Sequence, residues 1–284
     1  MSIVPRLATL LVILAFLPAI GSGALFAPKS EPWPRWEAHD PASTARIDHG
    51  LWNQFLGART TAIGNRILFA YSDVTASERA GLDAYLALMS KVRIAGHTRD
   101  EQLAFWINLY NAMTVKVVLD HYPVESIRDI DISPGLFSSG PWDADLISVD
   151  GVALTLNDIE HRILRPIWND PRIHYGVNCA SMGCPDLAAM AYTGASVDQM
   201  LDAAARAFVN DKRGVRIGAD GLVVSKIYDW FIDDFGGSEA GVLAHLTRYA
   251  VGDLVDRIKA AGAIDDTAYD WRLNDAQARL AAAN

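Results

Sequence analysis

The sequence concentrates its reactive side chains in one short segment, residues 174–184. This segment contains His174, Asn178, Cys179 and Cys184. Cysteine nucleophiles are activated when an imidazole takes the proton of a nearby thiol and a polar third group holds the imidazole in place. The segment therefore indicates thiol chemistry, with His174 as the general base and Asn178 among the candidate orienting groups.

Local pattern predicts how this segment is positioned. Residues 173–178 alternate as a short strand does, which places His174 and Asn178 on the same face. Pro185 suits the first position of a helix, so Cys184 becomes the N-cap residue of that helix. Because helix N–H groups stabilise a thiolate, we expect Cys184 to be the faster-reacting cysteine.

The two cysteines allow three interpretations. In an oxidising compartment, Cys179 and Cys184 are close enough in sequence to form a structural disulfide. Alternatively, at least one thiol is catalytic, or both thiols are reduced and inert. A metal site formed by these thiols with His161 and His174 matches no standard ligand spacing, so we expect neither a metal nor a cofactor.

A predicted helix over residues 155–168 brings a carboxylate toward the same region. At about 3.6 residues per turn, Glu160 falls within the inward apolar stripe of this helix and His161 lies at the border of the stripe. A buried carboxylate is costly unless it is paired, so we expect Glu160 to contact an arginine such as Arg172, or the cysteine segment. Glu160 is then either a structural ion-pair partner or a candidate orienting group for the histidine.

A second polar side chain is predicted inside the longest helix, over residues 98–120. The stretch AFWINLYNAMTVKVV within this helix is apolar on almost all sides, which is typical of a buried helix. Asn108 lies among these apolar positions, so it needs an internal hydrogen-bond partner. Asn108 is the last of the candidate orienting groups.

Composition excludes several classes of protein. The chain has 284 residues, of which 51% are hydrophobic and 21% are charged, so a disordered or collagen-like chain is excluded. The 34 acidic and 25 basic residues give a net charge of -9, which repels phosphate backbones, and we expect no nucleic-acid partner. Two cysteines are too few for a dense disulfide scaffold or a four-thiolate zinc site.

The N-terminus resembles an export signal. Arg6 precedes an apolar run over residues 7–20, and small residues follow it up to Ala24. The run is shorter than the roughly 20 residues that span a bilayer, so we predict a signal peptide over 1–24, cleaved after Ala24. The protein is then periplasmic or secreted, and it contacts the membrane only if the signal is retained. Residues 25–45, rich in proline, predict an extended arm.

The remaining pattern predicts an α+β fold. Residues 46–275 form a single helix-rich mixed domain with a small, mostly antiparallel sheet, and residues 276–284 form a C-terminal tail. Asp-Gly pairs between apolar runs predict two hairpins, over 146–154 and 215–225. Helices are further predicted near 48–56, 77–92, 196–210, 239–249 and 253–261.

Several segments of this chain also occur together in a known family. They are FWINLYNAMTVKVVL (105–119), LTLNDIEHRILRP (154–166), DPRIHYGVNCASMGCPDL (170–187), KIYDWFIDDFG (226–236) and the closing YDWRLN (269–274). Together they resemble the DUF547 family, whose members share a domain of unknown function, over roughly residues 45–275. The resemblance implies a domain and no reaction, so it assigns no catalytic role to any residue.

Two hypotheses of function follow. In the first, the protein is a thiol-dependent acyl transferase or amide hydrolase, similar in its parts to papain and transglutaminase. Cys184 or Cys179 is then the nucleophile and an envelope peptide or protein is the substrate. In the second, the protein is a non-catalytic periplasmic binding or structural protein, and the same cluster of Cys, His, Asn and Glu is a buried polar network or a disulfide. The sequence does not decide between an enzyme and a binding protein.

Overall fold

A computed structural model describes residues 28–135, 140–219 and 221–277 of the chain. The predicted signal peptide and its cleavage site after Ala24 lie outside the described residues, as does most of the predicted tail. None of the helices in the described ranges combines the length and apolar character that crossing a bilayer requires.

The chain folds as an α+β domain in which helices predominate. The first part contains α1 (Gly50–Arg59), β1 (Thr60–Ile63), β2 (Arg66–Phe69), α2 (Ala76–Met89), α3 (Arg99–His121), β3 (Ile147–Val149) and β4 (Val152–Leu154). A π-helix (Asp158–Leu164) then continues directly into α4 (Arg165–Trp168), and α5 (Ile173–Gly176) follows after a turn. The last part contains α6 (Val197–Val209), β5 (Val215–Gly218), β6 (Gly221–Ser225), α7 (Ile227–Trp230), α8 (Glu239–Tyr249), α9 (Leu254–Ala261) and β7 (Asp266–Ala268).

The strands of the described residues form three small sheets. β1 pairs with β2, and β3 pairs with β4, both antiparallel. Between β3 and β4, Asp150 and Gly151 have φ of 48° and 76°, the left-handed conformation that a tight turn needs. β6 pairs antiparallel with β5 and parallel with β7.

The helix α3 lies at the centre of the main hydrophobic core. Trp106, Phe105 and Leu109 in this helix are fully buried, as the apolar pattern on all its sides predicts. A second core cluster packs α6 and α8 against β5 and β6. The segment between the two clusters, from the π-helix to residue 185, carries the predicted reactive residues.

Two local predictions in that segment are wrong. Residues 173–178 do not form a strand, because Asp170 and Pro171 accept hydrogen bonds from the N–H groups of Ile173 and His174, which starts a helical turn. No helix begins at Pro185 either. The side chain of Asn178 donates to the carbonyl of Pro185, an acceptor that a helix would use for its own N–H groups.

The predicted helix over 155–168 forms, but its middle half, Asp158–Leu164, is a π-helix. Pro166 has no N–H, so the carbonyls one turn before it lack their helical donor. The N-terminal arm supplies donors instead: Glu31 N–H bonds the carbonyl of His161, and Trp33 N–H bonds that of Arg162. The Arg162 guanidinium also lies 4.1 Å from the centre of the Trp33 ring. The arm is therefore fixed to the helix that carries Glu160.

The structure predicts the stability effect of Asn108→Leu. Asn108 is 1% exposed, and its side-chain amide bonds both the N–H and the carbonyl of Tyr192. The backbone of Tyr192 is therefore the internal partner that the sequence predicted for Asn108. Removing the amide leaves two buried backbone groups unpaired, so the free energy of unfolding should fall by about 1–3 kcal/mol. Urea unfolding measures this change. Asn53→Leu is the matched control, since exposed Asn53 bonds only the Ala191 N–H and water can replace it; equal losses in both variants would contradict the argument.

Candidate functional site

One cavity collects most of the predicted reactive side chains. It has a volume of about 430 Å³, within the usual range for small-molecule sites. The side chains that can take part in chemistry come from α3, the π-helix, α5, the residues after α5 and the segment that follows β7. They are Tyr110, Glu160, His161, His174, Cys179, Cys184 and Tyr269, and the other polar residues of the lining are Arg128, Asp143 and Asn157. Its apolar walls include Val177, Ile227, Trp142, Trp230, Phe231 and Trp271.

His174 is held by a carboxylate that sequence analysis did not identify. Its Nε2 lies 2.6 Å from Oδ2 of Asp234, in the 3-10 turn that follows α7. Arg165 binds both oxygens of the same carboxylate, at 2.6 Å and 3.1 Å. Asp234 therefore fixes one ring nitrogen of His174, while Arg165 fixes Asp234.

The other ring nitrogen of His174 faces Glu160. The distance from Nδ1 to Oε1 of Glu160 is 3.6 Å, longer than a hydrogen bond. Glu160 is 7% exposed, as expected, but Arg172 is not its partner because Arg172 binds Asp170 and Asp198 instead. Burial alone would raise the pKa of Glu160, but the neighbouring His161, the close contact with His174 and the charge of Arg165 lower it to about 2.

His174 lies between two carboxylates and favours its charged form. Burial by itself would lower its pKa, but the hydrogen bond to Asp234 and the negative charges of Glu160 and Asp234 raise the pKa above its ordinary value. The ring also stacks on Phe231 at 4.3 Å between ring centres, and an aromatic face stabilises a cation. His174 therefore favours its protonated form more strongly than an ordinary histidine does.

His161 has the opposite character. Burial lowers its pKa to about 4, with Glu160 opposing this change and the Arg165 charge adding to it. Its Nδ1 accepts a hydrogen bond from Arg165 at 3.0 Å, which requires the neutral ring. The π-helix brings both His161 and Glu160 to the cavity, whereas an α-helical period places His161 at the border of the buried face.

The two cysteines meet at the wall of the cavity without forming a disulfide. Their sulfur atoms are 3.0 Å apart, well beyond the roughly 2.05 Å of a disulfide bond, and both thiols are free. Cys179 is partly exposed and Cys184 is buried. Two more hydroxyls lie beside Cys179, Tyr269 at 3.0 Å and Ser181 at 3.4 Å.

These contacts distinguish the two thiols chemically. Hydrogen bonds from Cys184, Ser181 and Tyr269 lower the pKa of Cys179 against the opposing effect of burial. Burial, and then the neighbouring Cys179, raise the pKa of Cys184 well above its ordinary value. Since no helix starts at Pro185, the predicted helix N-terminus that would activate Cys184 is absent. The structure thus favours Cys179 as the more reactive thiol, contrary to the sequence prediction.

Backbone contacts hold the cysteine loop in place. The N–H groups of Met182 and Gly183 each donate to carbonyls of the closing segment, Arg272 and Asp270, at 2.7 Å. A side chain at Gly183 would lie 2.7 Å from the Asp270 backbone nitrogen, so only glycine allows this approach. The closing segment therefore fixes the loop and at the same time supplies Tyr269.

The two asparagines support the loop from behind and do not line the cavity. Asn178 bonds the Pro185 carbonyl at 2.7 Å and the Ala180 N–H at 2.9 Å. This contact holds Ala180 at φ 56°, an uncommon backbone conformation for alanine. Asn108 contacts Tyr192 and neither the histidine nor a thiol. The orienting group of His174 is Asp234, not an asparagine.

Sequence reasoning missed Arg165, Asp234 and Tyr269. The only signal for the last two was their place in the segments KIYDWFIDDFG and YDWRLN, which carry the family resemblance. Nothing in local pattern shows that these segments contact residues 160–184. In the part of the chain that the structure describes, no three His, Cys, Asp or Glu side chains are grouped as ligands for a metal ion.

The charge of Glu160 predicts how stability depends on pH. Its pKa falls from an ordinary 4.5 to about 2 on folding, so its contribution to the free energy of unfolding is present above pH 4.5 and is lost as the pH falls toward 2. Glu160→Ala leaves the cations around it uncompensated and should destabilise the protein by about 2–4 kcal/mol at pH 7. Urea unfolding at pH 7 and at pH 3 tests this, with exposed Glu125→Gln as control. If Glu160→Ala lowers the free energy of unfolding by the same amount at both pH values, this explanation is contradicted.

The contact of Tyr269 with Cys179 predicts the rate of thiol alkylation. Tyr269→Phe removes a donor worth about 1.5–3 kcal/mol to a thiolate, which raises the pKa of Cys179 by about one unit or more. Labelling of Cys179 by iodoacetamide near pH 7 should slow about tenfold as the thiolate fraction falls. Tyr122→Phe is the control, because the Tyr122 hydroxyl bonds Asp275 instead. Peptide mapping should find Cys179 labelled before Cys184; the reverse order would overturn the assignment.

Comparison with known families identifies the domain. A family model described as "Protein of unknown function, DUF547" matches residues 94–209. No curated protein and no solved structure matched the chain. The matched part is shorter than the resemblance in the sequence: it contains Glu160, His174 and both cysteines, while Asp234 and Tyr269 lie beyond it. On this match, residues 94–209 of the chain form a DUF547 domain.

Proposed function

We propose that this protein is an exported thiol-dependent enzyme that performs acyl transfer or amide hydrolysis, with Cys179 as the nucleophile. One observation carries the proposal: the Cys179 sulfur borders a 430 Å³ cavity and lies within hydrogen-bond distance of two hydroxyls, those of Tyr269 and Ser181. A thiolate in such surroundings is both stabilised and accessible to a substrate. This combination is what distinguishes a reactive cysteine from a buried structural one.

His174 and Asp234 supply the proton transfer in this proposal. Asp234 holds Nε2 of the ring through a short hydrogen bond. The contact of Nδ1 with Glu160 is longer, so in this proposal Nδ1 is the ring nitrogen that a substrate in the cavity can reach. In the described residues, no hydrogen bond joins His174 to either sulfur. The imidazolium and the thiolate therefore act on a bound substrate from different parts of the cavity wall, and the imidazolium serves as the general acid.

The proposed reaction has two steps. The Cys179 thiolate attacks the carbonyl carbon, the bond from carbon to the leaving amine breaks, and the amine takes a proton from His174. The product of this step is a thioester on Cys179 and a neutral imidazole. In the second step, water or another amine loses a proton to His174 and attacks the thioester, which releases the acyl group and restores the thiolate. Tyr269, 3.0 Å from the sulfur, is the nearest hydroxyl donor to a carbonyl oxygen bound there.

The lining of the cavity limits the substrate. Three tryptophans, Trp142, Trp230 and Trp271, form its walls, and Arg128 stacks over the Trp271 ring at 5.3 Å. The space admits one or two amino-acid residues between aromatic faces, with a cation at the edge for a carboxylate. If the protein is exported, peptidoglycan peptides or envelope proteins are the natural substrates of this class.

A binding protein is the second candidate. The observation that favours it is the complete pairing of the charged network: two carboxylates, Glu160 and Asp234, are matched by His174 and Arg165. A fully compensated network of this kind also stabilises a ligand site that performs no reaction. In that case the Trp-lined cavity holds a peptide and Cys179 has no role in turnover.

Acyl-enzyme trapping separates the two candidates. The purified protein is incubated with p-nitrophenyl acetate and, in parallel, with peptidoglycan-derived peptides, and thioesters are located by peptide mass spectrometry. Wild type should carry the acyl group on Cys179. With the peptides, Asp234→Asn should lower the acylation rate by about 10²-fold, because protonation of the leaving amine depends on His174, which loses the carboxylate that orients it. Acylation by p-nitrophenyl acetate should change little, because its leaving group departs without a proton.

The controls for this experiment address chemistry and folding. His97→Ala changes a half-buried histidine outside the cavity and should leave the rate unchanged. Circular dichroism verifies that Asp234→Asn is folded. If Cys179 is acylated by the peptides at the rate of an ordinary thiol, and Asp234→Asn has no effect on that rate, the enzyme proposal is wrong and the binding protein is the better account.

A further inference from the structure

We propose that Cys179 and Cys184 are a reversible dithiol–disulfide couple, so that the same cavity performs thiol–disulfide exchange with a disulfide substrate. The proposal rests on the placement of the second thiol, which the acyl-transfer reaction does not use. The two sulfurs are 3.0 Å apart, and a decrease of about 1 Å brings them to the length of a disulfide bond. The site therefore contains a complete two-electron donor.

The two thiols differ in access as the members of an exchange couple do. Cys179 is partly exposed and lines the cavity beside Tyr269, where a substrate sulfur can approach it. Cys184 also borders the cavity but is only 5% exposed, and its thiol has the Val177 carbonyl as an acceptor at 3.9 Å. A substrate disulfide therefore meets the more exposed Cys179 first, and the Cys179 sulfur is the nearest one to Cys184.

The exchange balances in two steps. The Cys179 thiolate attacks one sulfur of the substrate disulfide, forms a mixed disulfide and expels the other half of the substrate as a thiolate. Cys184 then loses its proton to that thiolate or to water and attacks the Cys179 sulfur, which expels the second half. The protein loses two electrons and becomes an internal disulfide, while the substrate disulfide gains them and becomes two thiols.

The surroundings of the two sulfur atoms determine which of the two exchange steps comes first. Cys184 is protonated in the resting site because burial, and then the neighbouring Cys179, raise its pKa. Once Cys179 is in a mixed disulfide it carries no charge, so the part of the increase that comes from Cys179 disappears. The Cys179 N–H, 3.1 Å from the Cys184 sulfur, then remains as a donor to the Cys184 thiolate. Attack by the second thiol is thus favoured only after the first has reacted.

The loop that carries the couple is held from outside it. The carbonyl of Ala180 accepts from the Asn274 N–H, and the N–H groups of Met182 and Gly183 donate to the closing segment. These bonds fix the backbone between the two cysteines in both redox states. Closing and opening the disulfide then requires only side-chain movement, which is what a reversible couple needs.

Glutathione buffers test this proposal on the purified protein. After incubation with glutathione disulfide, samples are quenched in acid, alkylated and analysed by peptide mass spectrometry. Wild type should lose both free thiols and contain a Cys179–Cys184 disulfide with no bound glutathione, and excess reduced glutathione should restore both thiols. Cys184→Ser should accumulate one glutathionyl group on Cys179, and Cys179→Ser should accumulate none on Cys184.

Three outcomes would overturn it: wild type that stays glutathionylated on Cys179, wild type that keeps both thiols, or an internal disulfide that reduced glutathione does not reopen. If a serine variant does not fold, rapid quenching of wild type replaces it, since a transient mixed disulfide on Cys179 must precede the internal disulfide. The result is independent of the acyl-transfer proposal. If the disulfide closes and no acyl-enzyme forms, this inference is supported and only the acyl-transfer reaction is rejected. If an acyl-enzyme forms and no disulfide closes, only the dithiol–disulfide couple is rejected.

Discussion

The site depends on the mutual compensation of four charges that are mostly shielded from water. Glu160 and Asp234 are the two anions, and His174 and Arg165 are the two cations. Each ion would be costly to bury alone, and each has at least one opposite charge in contact. Because the four residues come from the π-helix, α4, α5 and the turn after α7, this compensation also fixes where those elements lie relative to one another.

The same requirement explains the irregular backbone around the site. A π-helix brings Glu160 and His161 to one cavity, and the carbonyls that it leaves without donors next to Pro166 are bonded by the N-terminal arm. Arg165 bonds the Pro28 carbonyl of that arm as well as Asp234, both at or below 2.8 Å. The arm is therefore part of the support of the charged network and not a free extension of the domain.

The cysteine loop is a second unit with its own support. Its backbone is bonded to the closing segment, and Tyr269 of that segment contacts both Cys179 and Ser181. Among the described residues, the loop and the charged network meet at the cavity, where the thiols occupy one part of the wall and His174 another. This separation suits a substrate that bridges them, and it leaves the two thiols free to react with each other. Acyl chemistry and dithiol chemistry are thus compatible in one site.

The sequence by itself determined the main helices, the fold class and five polar residues of the cavity: Glu160, His161, His174, Cys179 and Cys184. The burial of α3, the internal partner of Asn108 and the inward position of Glu160 follow from helical period and the cost of unpaired polar groups, which are local or additive effects. The tertiary structure alone decided the partners. Asp234 and Tyr269 lie 60 and 90 residues from His174 and Cys179, and no local pattern reports a contact over that distance. Contacts of this kind also decided the local backbone. A hydrogen bond to the Asp170 carbonyl starts a helical turn in place of the predicted strand, and Asn178 donates to the Pro185 carbonyl where a helix was predicted. These bonds, with those to the closing segment, satisfy buried groups that would otherwise compete for the same donors and acceptors.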